Sequence, residues 1–305
     1  MGEFSLIAAI ERVLAQPSRD VVLGIGDDAA VLRGGSGDLV WTIDAQVEGV
    51  HFRREWLSCA DIGYRSMMAA ASDLAAMGAE PIAALAALTI PSWATDAMVL
   101  ELSKGQREAA EELRCPVVGG NISCGVTFSV TTTVLGRADK PLLRSGAQAG
   151  DMVQVAGRLG EAALGLRALV AGVQDAGIEA WRRPCAQIEA GLRARPLATA
   201  AIDVSDGLGQ DVEHLARASG VRMTLNAAQL LVCAPAVEPR DALALALSGG
   251  EDYALVVTAP VLIEGFVRVG VVSEGEGVLV QLLDGRVVAL AAAVPSSGYE
   301  HGIAG

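Results

Sequence analysis

The sequence predicts an α/β or α+β protein built from two domains. Strand-like apolar runs alternate with helical periodicities along the chain, and 305 residues are more than one domain of roughly 150 accounts for. Gly136, Pro141, Gly146 and Gly150 cluster between two apolar strands. We place the boundary there, with domains at 1–140 and 141–305.

Residues 4–16 have the spacing of an amphipathic helix, which Pro17 ends. Short strands follow at Val21–Leu23 and Leu39–Ile43, with a glycine and acid turn between them. An Ala-rich helix fits Asp61–Gly78, a strand Ile82–Ile90, a helix Asp96–Leu113, and strands Val117–Val118 and Phe128–Leu135. The second half repeats the mixture. A strand Met152–Val155 precedes helices from Gly160 to about Ala190. Then come a strand into Ile202, a helix Leu208–Ala218, and strands at Val221–Leu225, Tyr253–Thr258 and Val267–Val272.

Composition narrows the function. The chain has 23 basic and 36 acidic residues, a net charge of −13, and only 19% charged residues against roughly 25% in a typical domain. Many acids must therefore stand in apolar or glycine-rich surroundings. Without Lys/Arg stripes to neutralise phosphates, nucleic acid is excluded as a partner. No apolar run approaches the roughly 20 residues that span a bilayer, so no membrane partner is expected. Five cysteines without a CxxC pair suit buried reduced thiols and a cytoplasmic location.

The acids that carry chemistry lie at strand ends, beside glycine or among small residues. Asp27 and Asp28 follow Gly24-Ile25-Gly26 and return at once to apolar Ala29-Ala30-Val31-Leu32, a poor pattern for a solvated turn. Asp44 closes the strand through Ile43. Asp73 falls on the edge of the helical stripe Met67, Ala70, Leu74, Met77, where an unpaired carboxylate is costly. Asp203-Val204-Ser205-Asp206-Gly207 joins a strand to a helix start, which suits either capping or a phosphate. Gly119-Gly120-Asn121 after one strand, and Ser248-Gly249-Gly250-Glu251-Asp252-Tyr253 before another, resemble backbone approaches to a ligand. His51 reads, on the residues alone, as a turn or core histidine. Many hard oxygen donors without clustered His or Cys point to Mg²⁺ rather than Zn²⁺, with phosphates held through metal. P-loop, dinucleotide-fold and GxSxG hydrolase readings fail on spacing.

Taken in order, these segments resemble one family. Gly2-Glu3-Phe4-Ser5-Leu6-Ile7, Gly24 to Ala30, Asp44 with Glu48-Gly49-Val50-His51-Phe52, Ser72-Asp73-Leu74-Ala75-Ala76-Met77-Gly78, Arg144-Ser145-Gly146, Asp203 to Leu208, Ser248 to Tyr253 and Gly298-Tyr299 are similar to the thiamine-monophosphate kinases of the aminoimidazole ribonucleotide synthetase superfamily. The resemblance implies that superfamily's two-domain α/β fold, with N-terminal sheets pairing across a homodimer. It implies ATP-dependent phosphorylation of thiamine monophosphate to thiamine diphosphate, assisted by several Mg²⁺ ions. By matching position, Asp28, Thr42, Asp44, Asp73, Asp203 and Asp206 would hold Mg²⁺, with Asp27, the Ile43 backbone carbonyl and Asn121 as further candidates. Gly120, Asn121, Arg144 and Ser205 would contact ATP, and His51, Glu251 and Tyr299 would line the thiamine phosphate site. No catalytic base is expected, because the accepting phosphate oxygen is already anionic.

Two positions depart from the family pattern. Asn121 stands where a metal-binding Asp is usual, and Ile43 where a Thr is usual. They keep two other readings open, a nucleotide-binding scaffold with impaired catalysis and another ATP-dependent enzyme of the superfamily.

Overall fold

The computed structural model describes residues 3–23, 25 and 31–293. Asp27, Asp28 and Tyr299 lie outside the described residues. The chain forms two compact units, one of residues 1–74 and 79–140, the other of 75–78 and 141–305. Among the described residues, no helix is long and apolar enough to cross a membrane.

The first unit contains α1 (Glu3–Leu14), β1 (Val21–Leu23), β2 (Val31–Leu32), β3 (Asp38–Val47), α2 (Cys59–Ala76), β4 (Glu80–Ile90), α3 (Asp96–Leu113), β5 (Val117–Cys124) and β6 (Ser129–Ala138). Its four-stranded sheet has the order β3-β6-β4-β5, antiparallel except for the parallel β4–β5 pair. Strand alternation gives the sheet two unlike faces. Thr42, Asp44 and Gln46 of β3 point towards α2, while Leu39, Trp41 and Ile43 point away and are 63%, 72% and 68% exposed. α2 is buried on nearly every side, with Met67, Met68, Ala70, Ala71 and Leu74 at 1% exposure or less. Helices α2 and α3 meet at two glycines. A Cβ on Gly63 would stand 2.0 Å from the Leu102 carbonyl oxygen, and one on Gly105 1.7 Å from that of Ala60.

Two sequence expectations change here. Asp44 lies inside β3, which continues to Val47 because β6 pairs with it residue for residue up to Ser129. Gly119-Gly120-Asn121 lies inside β5 rather than after it, in register with Leu85, Ala86 and Ala87 of β4. Gly120 is required by that neighbour, since a Cβ would stand 1.9 Å from the Ala86 carbonyl oxygen.

The second unit contains β7 (Met152–Ala156), α4 (Glu161–Ala171), α5 (Gly177–Arg182), α6 (Ile188–Ala194), β8 (Ala200–Asp203), α7 (Leu208–Ser219), β9 (Arg222–Asn226), α8 (Ala227–Cys233), α9 (Pro239–Ser248), β10 (Leu255–Ala259), β11 (Val267–Ser273), β12 (Gly277–Gln281), β13 (Val287–Ala289) and α10 (Leu290–Ala293). Seven strands form one sheet in the order β13-β12-β9-β11-β7-β10-β8. Its two faces are both covered. Val153, Val155, Ile202 and Val256 pack with Leu208, Val212 and Leu215 of α7, whereas Ala156, Ala201, Leu255 and Val257 pack with Ala190 and Ala194 of α6. This is why β10 is buried at every residue and reads as a continuous apolar run. β8 is an edge strand, so the loop leaving it at Asp203 is free to turn outward.

Candidate functional site

In the first unit, β3 and α2 bring three predicted residues together. The Thr42 hydroxyl donates to Asp73 Oδ2. Asp44 stands two residues further along the same strand face, and its carboxyl is pushed above the ordinary carboxylate range, first by burial and then by the Asp73 charge. A hydrogen bond from Gln46 and the charge of Arg65 oppose the shift. Arg65 is fully buried on α2, and its Nε donates to Gln46 Oε1 at 3.2 Å. Thr42 is fixed in turn by Thr133, whose hydroxyl donates to the Thr42 carbonyl at 2.6 Å and accepts from the Trp41 indole at 2.7 Å. Two half-buried carboxylates, close enough for the charge of one to act on the other, and the Thr42 hydroxyl make a donor set suited to a hard cation.

The other candidates of this unit stand apart from that pair. Asn121 shares the open sheet face with Ala87, Leu85 and the Ile43 side chain, opposite to the face of Thr42 and Asp44. Ile43 keeps only its backbone carbonyl for a ligand, as its side chain has no donor or acceptor. His51 Nδ1 accepts from the Val47 backbone N–H at 3.1 Å, which locks the imidazole into its own turn and leaves the proton of the neutral ring on Nε2.

In the second unit, Asp203 closes β8 and is 6% exposed. The following loop is stitched to the 250–254 segment. Glu251 and Tyr253 N–H donate to the Ser205 and Val204 carbonyls at 2.8 and 2.9 Å, and Val204 N–H donates to Ala254 at 2.8 Å. The capping reading of Ser205 and Asp206 does not hold: the cap of α7 is Gly207, at φ +114°, and no side chain bonds the helix start there. Both side chains are thereby released from capping. Beneath the turn lies Asp211, in the first turn of α7, whose backbone N–H donates to the Gly207 carbonyl at 3.1 Å. Asp211 is 3% exposed and its Oδ2 is buried without a hydrogen-bond partner. Burial, reinforced by the charges of Asp203 and Asp206, pushes its carboxyl up to about 8. The orphaned oxygen and the charges of Asp203 and Asp206 make this turn a candidate cation site.

Sequence reasoning missed Asp211, yet a signal existed. With Leu208, Val212 and Leu215 it occupies the i, i+3, i+4, i+7 stripe of α7, where an acid is out of place on an apolar face.

Glu251 and Tyr253 adopt left-handed backbone at φ +65° and +49°, strain that β-strand entry does not need. Between them, Asp252 accepts from the Gly160 and Ala162 N–H groups at the start of α4, the latter at 3.0 Å. Burial nonetheless pushes its carboxyl up to about 7. The glycines before them serve packing, since a Cβ on Gly250 would lie 2.6 Å from the Ser205 carbonyl oxygen. Arg144 is exposed on a loop held by the Ser219 hydroxyl. That loop meets β8 where it begins, as Leu143 accepts from Ala201 at 2.9 Å, whereas Ser205 follows where β8 ends. Among the described residues, no group of three or more His, Cys, Asp or Glu side chains is placed to hold a metal ion by itself.

The chain as a whole is similar to known proteins. Residues 26–138 match the family model of the AIR synthase related protein, N-terminal domain. The thiamine-monophosphate kinase of Mycobacterium tuberculosis is 35% identical over 310 residues, covering 98% of this chain and 90% of its own. The crystal structure of thiamine-monophosphate kinase from Stenotrophomonas maltophilia K279a aligns with a TM-score of 0.81 at 32% identity, over 94% of this chain and 98% of that one. AaThiL complexed with AMPPCP and TMP aligns with a TM-score of 0.78 at 32% identity, over 99% and 97%. With this identity sustained across nearly its full length and the same fold in both units, the chain belongs to the thiamine-monophosphate kinase family.

Proposed function

We propose that the chain transfers the terminal phosphoryl group of ATP to the phosphate of thiamine monophosphate, giving thiamine diphosphate and ADP. The observation that carries this reading is the pair of acid arrays, Asp44 with Asp73 under Thr42 and Asp203 with Asp206 above the orphaned Asp211 oxygen. The AMPPCP and TMP bound by AaThiL supply the ligand chemistry.

In this reading Asp44, Asp73, Thr42, Asp203 and Asp206 hold Mg²⁺, with Asp28, Asp27, the Ile43 carbonyl and Asn121 as further ligands. When bound, Mg²⁺ cancels the repulsion between a triphosphate and a monophosphate, where each unit pair about 4 Å apart costs about 4 kcal/mol at an effective dielectric near 20. The protein's own residues position and neutralise. Thr133 and Arg65 fix the acids from behind, Gly120, Asn121, Arg144 and Ser205 serve ATP, and His51, Glu251 and Tyr299 serve thiamine monophosphate. In-line transfer needs alignment and no general base, since the attacking oxygen carries its own charge. The test is a kinase assay with ATP, Mg²⁺ and thiamine monophosphate, read as thiamine diphosphate; no product across a range of Mg²⁺ concentrations overturns the assignment. In the same assay Asn121→Asp is expected to lower the Mg²⁺ concentration at half-maximal rate about tenfold, because a carboxylate replaces a neutral amide oxygen. An unchanged Mg²⁺ profile would remove Asn121 from the ligand set.

We assign residues 1–140 to ATP, Mg²⁺ and dimerisation, and 141–305 to a C-terminal α/β domain. The open sheet face supports the homodimer: Leu39, Trp41 and Ile43 form an apolar row on an edge strand, a costly surface for a monomer. Trp41→Asp is solvated in a single copy but buries a bare charge in a paired one, so sedimentation should find the variant monomeric and the parent dimeric. A parent that sediments as a monomer rejects the dimer. We place the protein in the cytoplasm, which its five free cysteines fit.

A further inference from the structure

The strained Glu251-Asp252-Tyr253 turn is gripped by the helical hairpin α4–α5 at two adjacent residues. Asp252 binds the first N–H groups of α4, and Trp181 of α5 donates its indole Nε1–H to Glu251 Oε2 at 2.7 Å. The two helices of the hairpin approach closely: a Cβ on Gly165 of α4 would stand 2.0 Å from the Gly177 carbonyl oxygen of α5, so only glycine fits there. Trp181 is 1% exposed and among the largest fully buried side chains. A buried indole needs an acceptor, but a backbone carbonyl would satisfy it. Here it is spent on a half-buried carboxylate whose backbone is held in a left-handed conformation.

We propose that Trp181 is a positioning residue for thiamine monophosphate: its indole N–H fixes the Glu251 carboxylate in the orientation that receives the substrate's ring system, the amino group of its pyrimidine or its thiazolium cation. This rests on the reading of Glu251 as a substrate contact. The orientation matters because a carboxylate recognises an amino group or a thiazolium by direction and charge, and an unheld Glu side chain pays rotamer entropy on each binding event.

Calorimetry with thiamine monophosphate and, separately, AMPPCP on the parent, Trp181→Phe, Glu251→Gln and the double variant, all with Mg²⁺, tests this. Trp181→Phe keeps the ring in its pocket and removes the donor. It is expected to weaken thiamine monophosphate binding about tenfold and AMPPCP binding by less than about twofold. The double variant should bind thiamine monophosphate no worse than about twofold below Glu251→Gln alone, since the indole acts through the Glu251 charge, which the glutamine no longer supplies. Unchanged thiamine monophosphate affinity in Trp181→Phe, equal weakening of both ligands, or additive losses would each overturn the proposal. A parent that binds thiamine monophosphate yet forms no thiamine diphosphate counts against the kinase reading alone, because the binding comparison is independent of turnover.

Discussion

Replacing Asp44 by asparagine is expected to lower thiamine diphosphate formation by about a thousandfold and, at the same time, to raise the melting temperature of the metal-free protein at neutral pH. The two effects share one cause. Asp44 is half-buried on β3 beside Asp73, and both burial and that neighbouring charge disfavour its ionised form. A carboxyl whose folded pKa lies above its unfolded one destabilises the fold as it ionises, so the penalty grows as pH rises from the ordinary carboxylate range through the raised value. Asparagine keeps the volume and an acceptor oxygen while removing the charge, which relieves the penalty and deletes a proposed Mg²⁺ ligand. A residue kept for packing would show the opposite sign in the melt. Asp73→Asn should lose turnover similarly, since Thr42 can still donate to the amide oxygen and preserve the local geometry. Steady-state rates and thermal melts of both variants check this, and near-parent turnover in both would defeat the metal reading of the first unit.

What could be read from the residues follows the range of the forces involved. The long helices α2, α3 and α7 are legible because their apolar periodicity is local. β5 is read too short because two glycines look like a turn, and only the Ala86 carbonyl against Gly120 reveals that the strand needs them. The short helices α8 and α9, of 7 and 10 residues, escape because Pro235 and Pro239 break the pattern over which periodicity could accumulate. The candidate acids stand out through their apolar and glycine surroundings. Their supports do not: Thr133 reaches Thr42 across 91 residues and Trp181 reaches Glu251 across 70, and such pairings exist only once the chain has folded.

Asp211→Asn is expected to change the pH dependence of stability more than any other single substitution outside the ligands themselves. Burial, reinforced by the charges of Asp203 and Asp206, pushes the Asp211 carboxyl up to about 8, against about 4 for an ordinary aspartate, so near neutral pH the native state keeps a proton that the unfolded chain has released. Stability in the absence of Mg²⁺ should therefore fall as pH rises from about 4 to about 8, by on the order of 5 kcal/mol from this group. Asp252, raised to about 7 by burial, contributes with the same sign. Asparagine keeps the side-chain volume and cannot ionise, so thermal melts of the variant at pH 6 and pH 9 should differ far less than those of the parent. Mg²⁺ supplies the test of origin. If the penalty comes from three carboxylates crowded at the start of α7, adding Mg²⁺ should flatten the parent's profile by neutralising Asp203 and Asp206, and change that of Asp211→Asn much less. A parent profile that is flat without Mg²⁺ would show that Asp211 does not carry this charge, and the second acid array would then lose its electrostatic reason to bind a cation.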